Sequence, residues 1–108
     1  MTNSIMDESD EKPTPIQLMS VAEMGGCPEV DLHGKDVIDA ETTVEGFLSR
    51  AYRDGDPVVK IVHGKGTGKL QDVIRKLLRD HPLVVASGGS SRMDEMGAVI
   101  YAVMRLPV

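Results

Sequence analysis

The residues best suited to chemistry lie in two short stretches, Asp31-Leu32-His33-Gly34 and His63-Gly64-Lys65-Gly66-Thr67-Gly68-Lys69. In the second, three glycines within five residues let the backbone gather several N–H groups around one anion. A helix pattern opens just after it, near Leu70, so unpaired N–H donors and a partial positive charge are expected at the same place. Lys65 and Lys69 add two full charges, and the combination suits a phosphate. A tight strand-to-helix turn would account for Gly64, Gly66 and Gly68, but it would not need the lysines. His63 stands at the edge of this cradle. Asp31 and His33 are two apart on a strand-like segment and point to one side, while Val30 and Leu32 point to the other, toward a core.

Two histidines with ordinary pKa values near 6.5 can share the acid and base roles at neutral pH, and Asp31 can orient one imidazole. RNA carries its own nucleophile, the 2′-hydroxyl, so its cleavage needs a base, an acid and charge stabilisation. DNA lacks that hydroxyl, and its hydrolysis normally uses a metal-activated water. On chemistry alone RNA is the easier substrate, and the residue order leaves open which histidine is acid and which is base. Asp31, His33 and His63 also make three potential zinc ligands, but a zinc site is the minor reading, and no metal or cofactor is expected. A Walker A loop fails because Gly68-Lys69 is followed by Leu70 rather than Ser or Thr. A dinucleotide fingerprint fails because the glycines run Gly-x-Gly-x-Gly. His81, ahead of Pro82 at a helix end, reads as structural.

Which elements would hold these residues? Glu29–His33 is a short strand ended by Gly34. Val37, Ala40, Val44, Phe47, Leu48 and Ala51 follow helical spacing, with Asp36 as N-cap and Gly55 and Pro57 as the stop. Residues 58–62 form a second strand. Leu70, Val73, Ile74, Leu77 and Leu78 define a second helix, with Thr67 as its expected cap. Leu83–Ala86 and Ala98–Met104 are the remaining strands, separated by a polar loop from Gly88 to Met96. The order βαβαββ predicts a two-layer α/β sandwich: a four-stranded mixed sheet with both helices on one face. If the first two strands are parallel neighbours about 4.8 Å apart, His33 and His63 share the carboxyl-end rim, where open α/β sheets place ligands.

The chain has 108 residues and a net charge of −5. Residues 1–28 hold five of the acids against one base, Lys12, so the rest of the chain is nearly neutral. From Lys60 to Arg79 there are six basic residues and one acid, Asp72. Lys65, Lys69, Lys76 and Arg92 are candidates for one positive face that binds nucleic-acid phosphates. With three aromatics, a base-stacking platform is not expected. Cys27 is the sole cysteine, which fits a reducing compartment. With no leader pattern and no apolar run near the roughly 20 residues of a membrane span, a cytoplasmic, membrane-free protein is expected. Residues 1–28 are expected to be a disordered or loosely docked acidic tail, with a short helix or a segment draped on the domain as the alternative for 16–28, structure beginning near Pro28 and a single domain covering 29–108.

The paired motifs Asp31-Leu32-His33-Gly34 and His63-Gly64-Lys65-Gly66-Thr67-Gly68-Lys69-Leu70, with the closing strand Gly97–Val103, resemble the Smr (small MutS-related) domain from about Val30 to Leu106. The resemblance implies a βαβαββ fold whose last strand inserts into the sheet antiparallel to its neighbours. It further implies nucleic-acid binding and, in many members, endonuclease activity on DNA or on messenger RNA at stalled ribosomes. By it Asp31 and His33 match the positions linked with cleavage, and His63 with the glycines through Gly68 matches the second motif. Together with the reading of the residues, the expected catalytic set is Asp31, His33 and His63, and the expected phosphate contacts are Gly64, Lys65, Gly66, Thr67, Gly68, Lys69 and Arg92. Some relatives carry Arg in place of the first-motif His; this chain keeps His33. Its loop from Ser87 to Met96 is less glycine-rich than the family pattern. The alternatives are a non-catalytic module that docks on branched DNA or ribosomal RNA, and a metal-dependent DNA-nicking enzyme.

Overall fold

The computed structural model describes residues 13–66 and 68–107. Helix α1 spans Pro15–Gly25, strand β1 Glu29–Asp31, helix α2 Val37–Asp54 and strand β2 Val58–Val62. Helix α3 spans Lys69–Asp80, strand β3 Val84–Gly89 and strand β4 Val99–Met104. The sheet order is β1-β2-β4-β3. β1 and β2 are parallel. β4 is inserted between β2 and β3 and is antiparallel to both, as the resemblance implies.

The alternation of β2 and β4 explains the layers. Val59, Ile61, Ile100, Ala102 and Met104 point to one face, where they meet Ala40, Val44, Phe47, Leu48 and Ala51 of α2 and Ile74 and Leu78 of α3. This is the expected two-helix layer. Leu32, fully buried, joins it from beyond β1. Asp36 caps α2 as expected, its side chain accepting from Asp39 N at 2.8 Å. Gly55 ends the helix at φ 75°, in the left-handed region that glycine adopts without a Cβ clash.

Three expectations need correction. Structure does not begin near Pro28. Thr14 and Gln17 form a reciprocal capping box, and Pro15 occupies the first helical turn, a pattern that starts helices because it satisfies orphan N–H groups. The resulting α1 covers the other sheet face, where Ala22 packs with Val58, Val99, Tyr101 and Val103, so the sheet has helices on both sides. The expected disorder of residues 1–12 lies outside the described residues. α3 takes Gly68 as N-cap, in a left-handed conformation (φ 91°) with no side-chain cap; the expected cap, Thr67, lies outside the described residues. β3 extends through Gly88 and Gly89, because their backbone pairs with Tyr101 and Ile100 regardless of their lack of side chains.

Candidate phosphodiester site at the sheet rim

The β1/β2 register pairs Asp31 with Val62, so the residues that follow, His33 and His63, leave the sheet at the same end. The Leu32 N–H still donates to Val62 O at 2.7 Å, holding the two exits together. The chain then turns at Gly34 (φ 83°) and at Gly64 (φ 79°). Gly64 is required on two counts: its backbone is left-handed, and a Cβ there would lie 2.9 Å from the Cβ of His33. The two motifs therefore touch.

Asp31 and His33 form a local unit. Asp31 Oδ1 accepts from the His33 backbone N–H at 3.0 Å and meets His33 Nδ1 at 3.2 Å. These bonds, the backbone one first, hold the Asp31 carboxyl below the usual range. Both side chains are exposed, so His33 presents its Nε2 edge to solvent.

His63 is the opposite case. Only 5% of it is exposed. Its backbone N–H and that of Gly64 both donate to Ala98 O, at 2.9 and 3.1 Å, which fixes the turn against the start of β4. Ring Nδ1 lies 2.7 Å from Gly64 O. Since a carbonyl only accepts, Nδ1 carries the proton, and Nε2 is left with a lone pair. That Nε2 is buried and has no hydrogen-bond partner among the described residues. Burial pulls the His63 pKa below its ordinary value; the Gly64 carbonyl opposes this and the charge of Arg75 adds to it. Burial thus favours the neutral ring.

His63 lines a cavity of about 480 Å³ together with Gly64, Lys65, Gly66, Gly68 and Lys69. The facing wall is Gly34–Val37, the start of α2. Two helix N-termini, those of α2 and α3, thus face one space, and each brings N–H donors and a partial positive charge. Lys35 joins Lys65 and Lys69 there. Lys35 was missed in the sequence; the signal was its place between Gly34 and the Asp36 cap, a second helix start on the same rim. Asp31 and His33 stand beside this cavity through the Gly64 contact but do not line it, and among the described residues Asp31, His33 and His63 do not converge as a metal-ligand set.

Arg92 is not part of the cradle. It makes two contacts with Asp94, at 3.1 and 3.2 Å, and donates to Glu23 O at the end of α1. It lies over the α1 face of the sheet, in a pocket with Lys60 and Tyr101. The loop that carries it is drawn there by Glu23, which accepts from Ser90 and Ser91. His81 is structural, as expected: it bonds Glu45 at 2.7 Å and accepts from Leu83 N.

The comparisons follow the same outline. The Smr domain family matches residues 30–105. Endonuclease MutS2 of Thermomicrobium roseum is 51% identical over 57 residues, covering 53% of this chain and 7% of that protein. Endonuclease MutS2 of Caldicellulosiruptor saccharolyticus is 47% identical over 72 residues, 66% of this chain and 9% of its own length. The chain therefore spans under a tenth of these two relatives. Among solved structures, the Smr domain of Thermus thermophilus MutS2 superposes with a TM-score of 0.68 at 34% identity, covering 72% of this chain and 98% of that one. YdaL, a stand-alone small MutS-related protein from Escherichia coli, gives 0.70 at 21% identity over 88% and 79%, a likeness of fold. With the family pattern matched across most of its length, this chain belongs to the Smr domain family.

Proposed function

We propose that this protein binds nucleic acid at the rim and cleaves RNA there by acid–base chemistry. The observation that carries this reading is the state of His63: Nδ1 is committed to Gly64 O, the buried Nε2 has no partner among the described residues, and the residue lines a cavity with two helix N-termini and three lysines. With a scissile phosphate seated among those groups, a small turn of the ring that uncovers the buried Nε2 lets the adjacent 2′-hydroxyl reach it. His63 takes its proton, the 2′-oxygen attacks phosphorus, and the 5′-oxygen leaves with a proton from the imidazolium of His33, steadied by Asp31. Lys65, Lys69 and the loop N–H groups balance the charge that grows on the phosphorane. The naming of MutS2 relatives as endonucleases agrees with phosphodiester cleavage.

A second reading, binding without cleavage, draws on the position of Asp31 and His33 outside the cavity lining. One experiment separates the two. Purified protein is incubated with matched labelled RNA and DNA, with and without EDTA, beside His33→Ala and His63→Ala. The expected result is RNA cleavage that survives EDTA and falls by about 10²–10⁴ in His63→Ala, the range for loss of a general base. A single 2′-deoxy substitution at the cut site blocks it. Binding with no cleavage of either polymer rejects catalysis, and cleavage of DNA only with metal rejects the RNA mechanism.

A further inference from the structure

Beyond the rim, the structure has a second basic feature that the catalytic reading does not use. β3 is an outer strand of the sheet, so one side of it bears peptide groups that no other strand pairs. Against it lies α3, and between them runs a groove of about 420 Å³. One wall carries Arg75 and Arg79, the other the backbone of Ser87, Gly88 and Gly89. Both arginines are exposed. The one ion pair of Arg79 among the described residues is a loose 3.8 Å contact with its neighbour Asp80. Val85, on the same strand, is 52% exposed.

The groove and the rim cavity share no lining residue, but both lie along α3. The first turn of α3 supplies Lys69, Leu70 and Gln71 to the cradle, and the next turns supply Arg75 and Arg79 to the groove. A polymer seated by one phosphate at the loop would meet Arg75 and then Arg79 one helical turn on, since i and i+4 share a face. The opposite wall offers peptide N–H and C=O groups, which can pair with the edges of bases that are not already paired. A duplex has those edges occupied, and A-form RNA hides its major-groove edges from protein groups.

We infer that the groove between α3 and β3 binds an unpaired stretch of the nucleic acid flanking the phosphate at the rim, with Arg75 and Arg79 on its phosphates and the β3 edge against its bases. This rests on nucleic acid being the ligand of the rim, and it makes the substrate a single-stranded region longer than the rim alone can hold.

The test measures binding by fluorescence anisotropy on the full chain, with a long single-stranded RNA, a short one that spans only the rim, and a duplex of the long sequence. The double variant Arg75→Gln/Arg79→Gln is compared with Arg50→Gln/Arg53→Gln, which removes the same charge from exposed positions on α2. The expected result is a loss of about tenfold or more for the long single strand in the first variant, with the log–log salt slope reduced by roughly 1 to 2. The short strand and the control variant lose less. Equal losses in the two variants overturn the inference, as does a duplex that binds as tightly as the single strand and loses as much. Tighter, arginine-dependent binding of an acidic peptide than of RNA also overturns it. Cleavage is not read, so an inactive rim leaves this result standing, and a silent groove leaves the rim chemistry standing.

Discussion

At the scale of single residues, Gly64 does more than turn the chain. It is the point where the Asp31–His33 unit and the His63 cradle meet, with no room for a methyl group between them. Gly55 offers a control, since it is also left-handed yet has open space where a Cβ would go. Gly55→Ala should cost the backbone term alone, about 1 kcal/mol. Gly64→Ala should cost more, about 1–3 kcal/mol, and should lower cleavage beyond what the fall in stability explains, because His33 must move. Thermal melts and initial rates on both variants check this. If Gly64→Ala costs no more than Gly55→Ala in either measurement, the two motifs are not mechanically linked. The placement of Asp31, His33, His63, Lys65 and Lys69 at one rim was legible in the sequence, because strand alternation and a glycine-rich strand-to-helix turn leave few places for them to go; Lys35 was not. The different states of the two histidines were not legible. Burial of His63 depends on Ala98, thirty-odd residues away, which no local pattern reports.

At the scale of elements, α1 and the loop before β4 are held by a polar cluster that the linear sequence does not announce. Glu95, 8% exposed, accepts from Lys60 Nζ, Ser90 Oγ and Tyr101 Oη. Burial pushes its carboxyl up, but these bonds outweigh burial and hold it below the usual range. The same burial, with the carboxylate alongside, pushes the Tyr101 hydroxyl up. Removing one partner strands a charge. Lys60→Met should therefore destabilise by about 2–4 kcal/mol, somewhat below the figure for a fully buried pair. Lys60→Met/Glu95→Leu should recover a large part of that loss. Urea denaturation of the two singles and the double closes the cycle, and additive losses would show that Lys60 and Glu95 are not coupled. α2, β2, α3 and β4 were readable because each repeats its apolar positions with one clear period. α1 was harder, because Ile16, Val21 and Met24 are apolar yet exposed, which blurs its face. Its start was written all the same, in Thr14-Pro15-Ile16-Gln17. Arg92 misled because a cation beside a glycine-bearing loop suits a phosphate, and only the fold shows Asp94 and α1 claiming it.

For the whole molecule, His63 ties stability to pH. Its folded pKa lies below the unfolded value of about 6.5. Between those two values the unfolded chain binds more protons, so stability rises with pH across that window. On acidification it begins to fall near the unfolded value and stops falling from this cause below the folded one. The carboxyls of Glu23, Asp31 and Glu95 are also held low, and they add a further loss at lower pH, as each is protonated. Denaturation midpoints taken between about pH 7.5 and 5.5 isolate the histidine step. Wild type should lose stability over that range and His63→Gln should be nearly flat; parallel curves would refute the assignment. The acid limb of the cleavage rate should likewise lie below the ordinary histidine pKa.

The placement of β4 has a further consequence, for the order in which the protein comes into being. β2 ends at Val62, and its antiparallel partner does not begin until Val99. A nascent chain halted before Ala98 has β1 and β2 but nothing to join β2 to β3, and it lacks the carbonyl that fixes His63 and Gly64. The glycine loop then has no reason to close around an anion. Pairing across so long an interval is slow to form, so competence arrives at the end of assembly. If the rim cleaves RNA as proposed, the ribosome translating this chain meets no formed site until β4 has emerged.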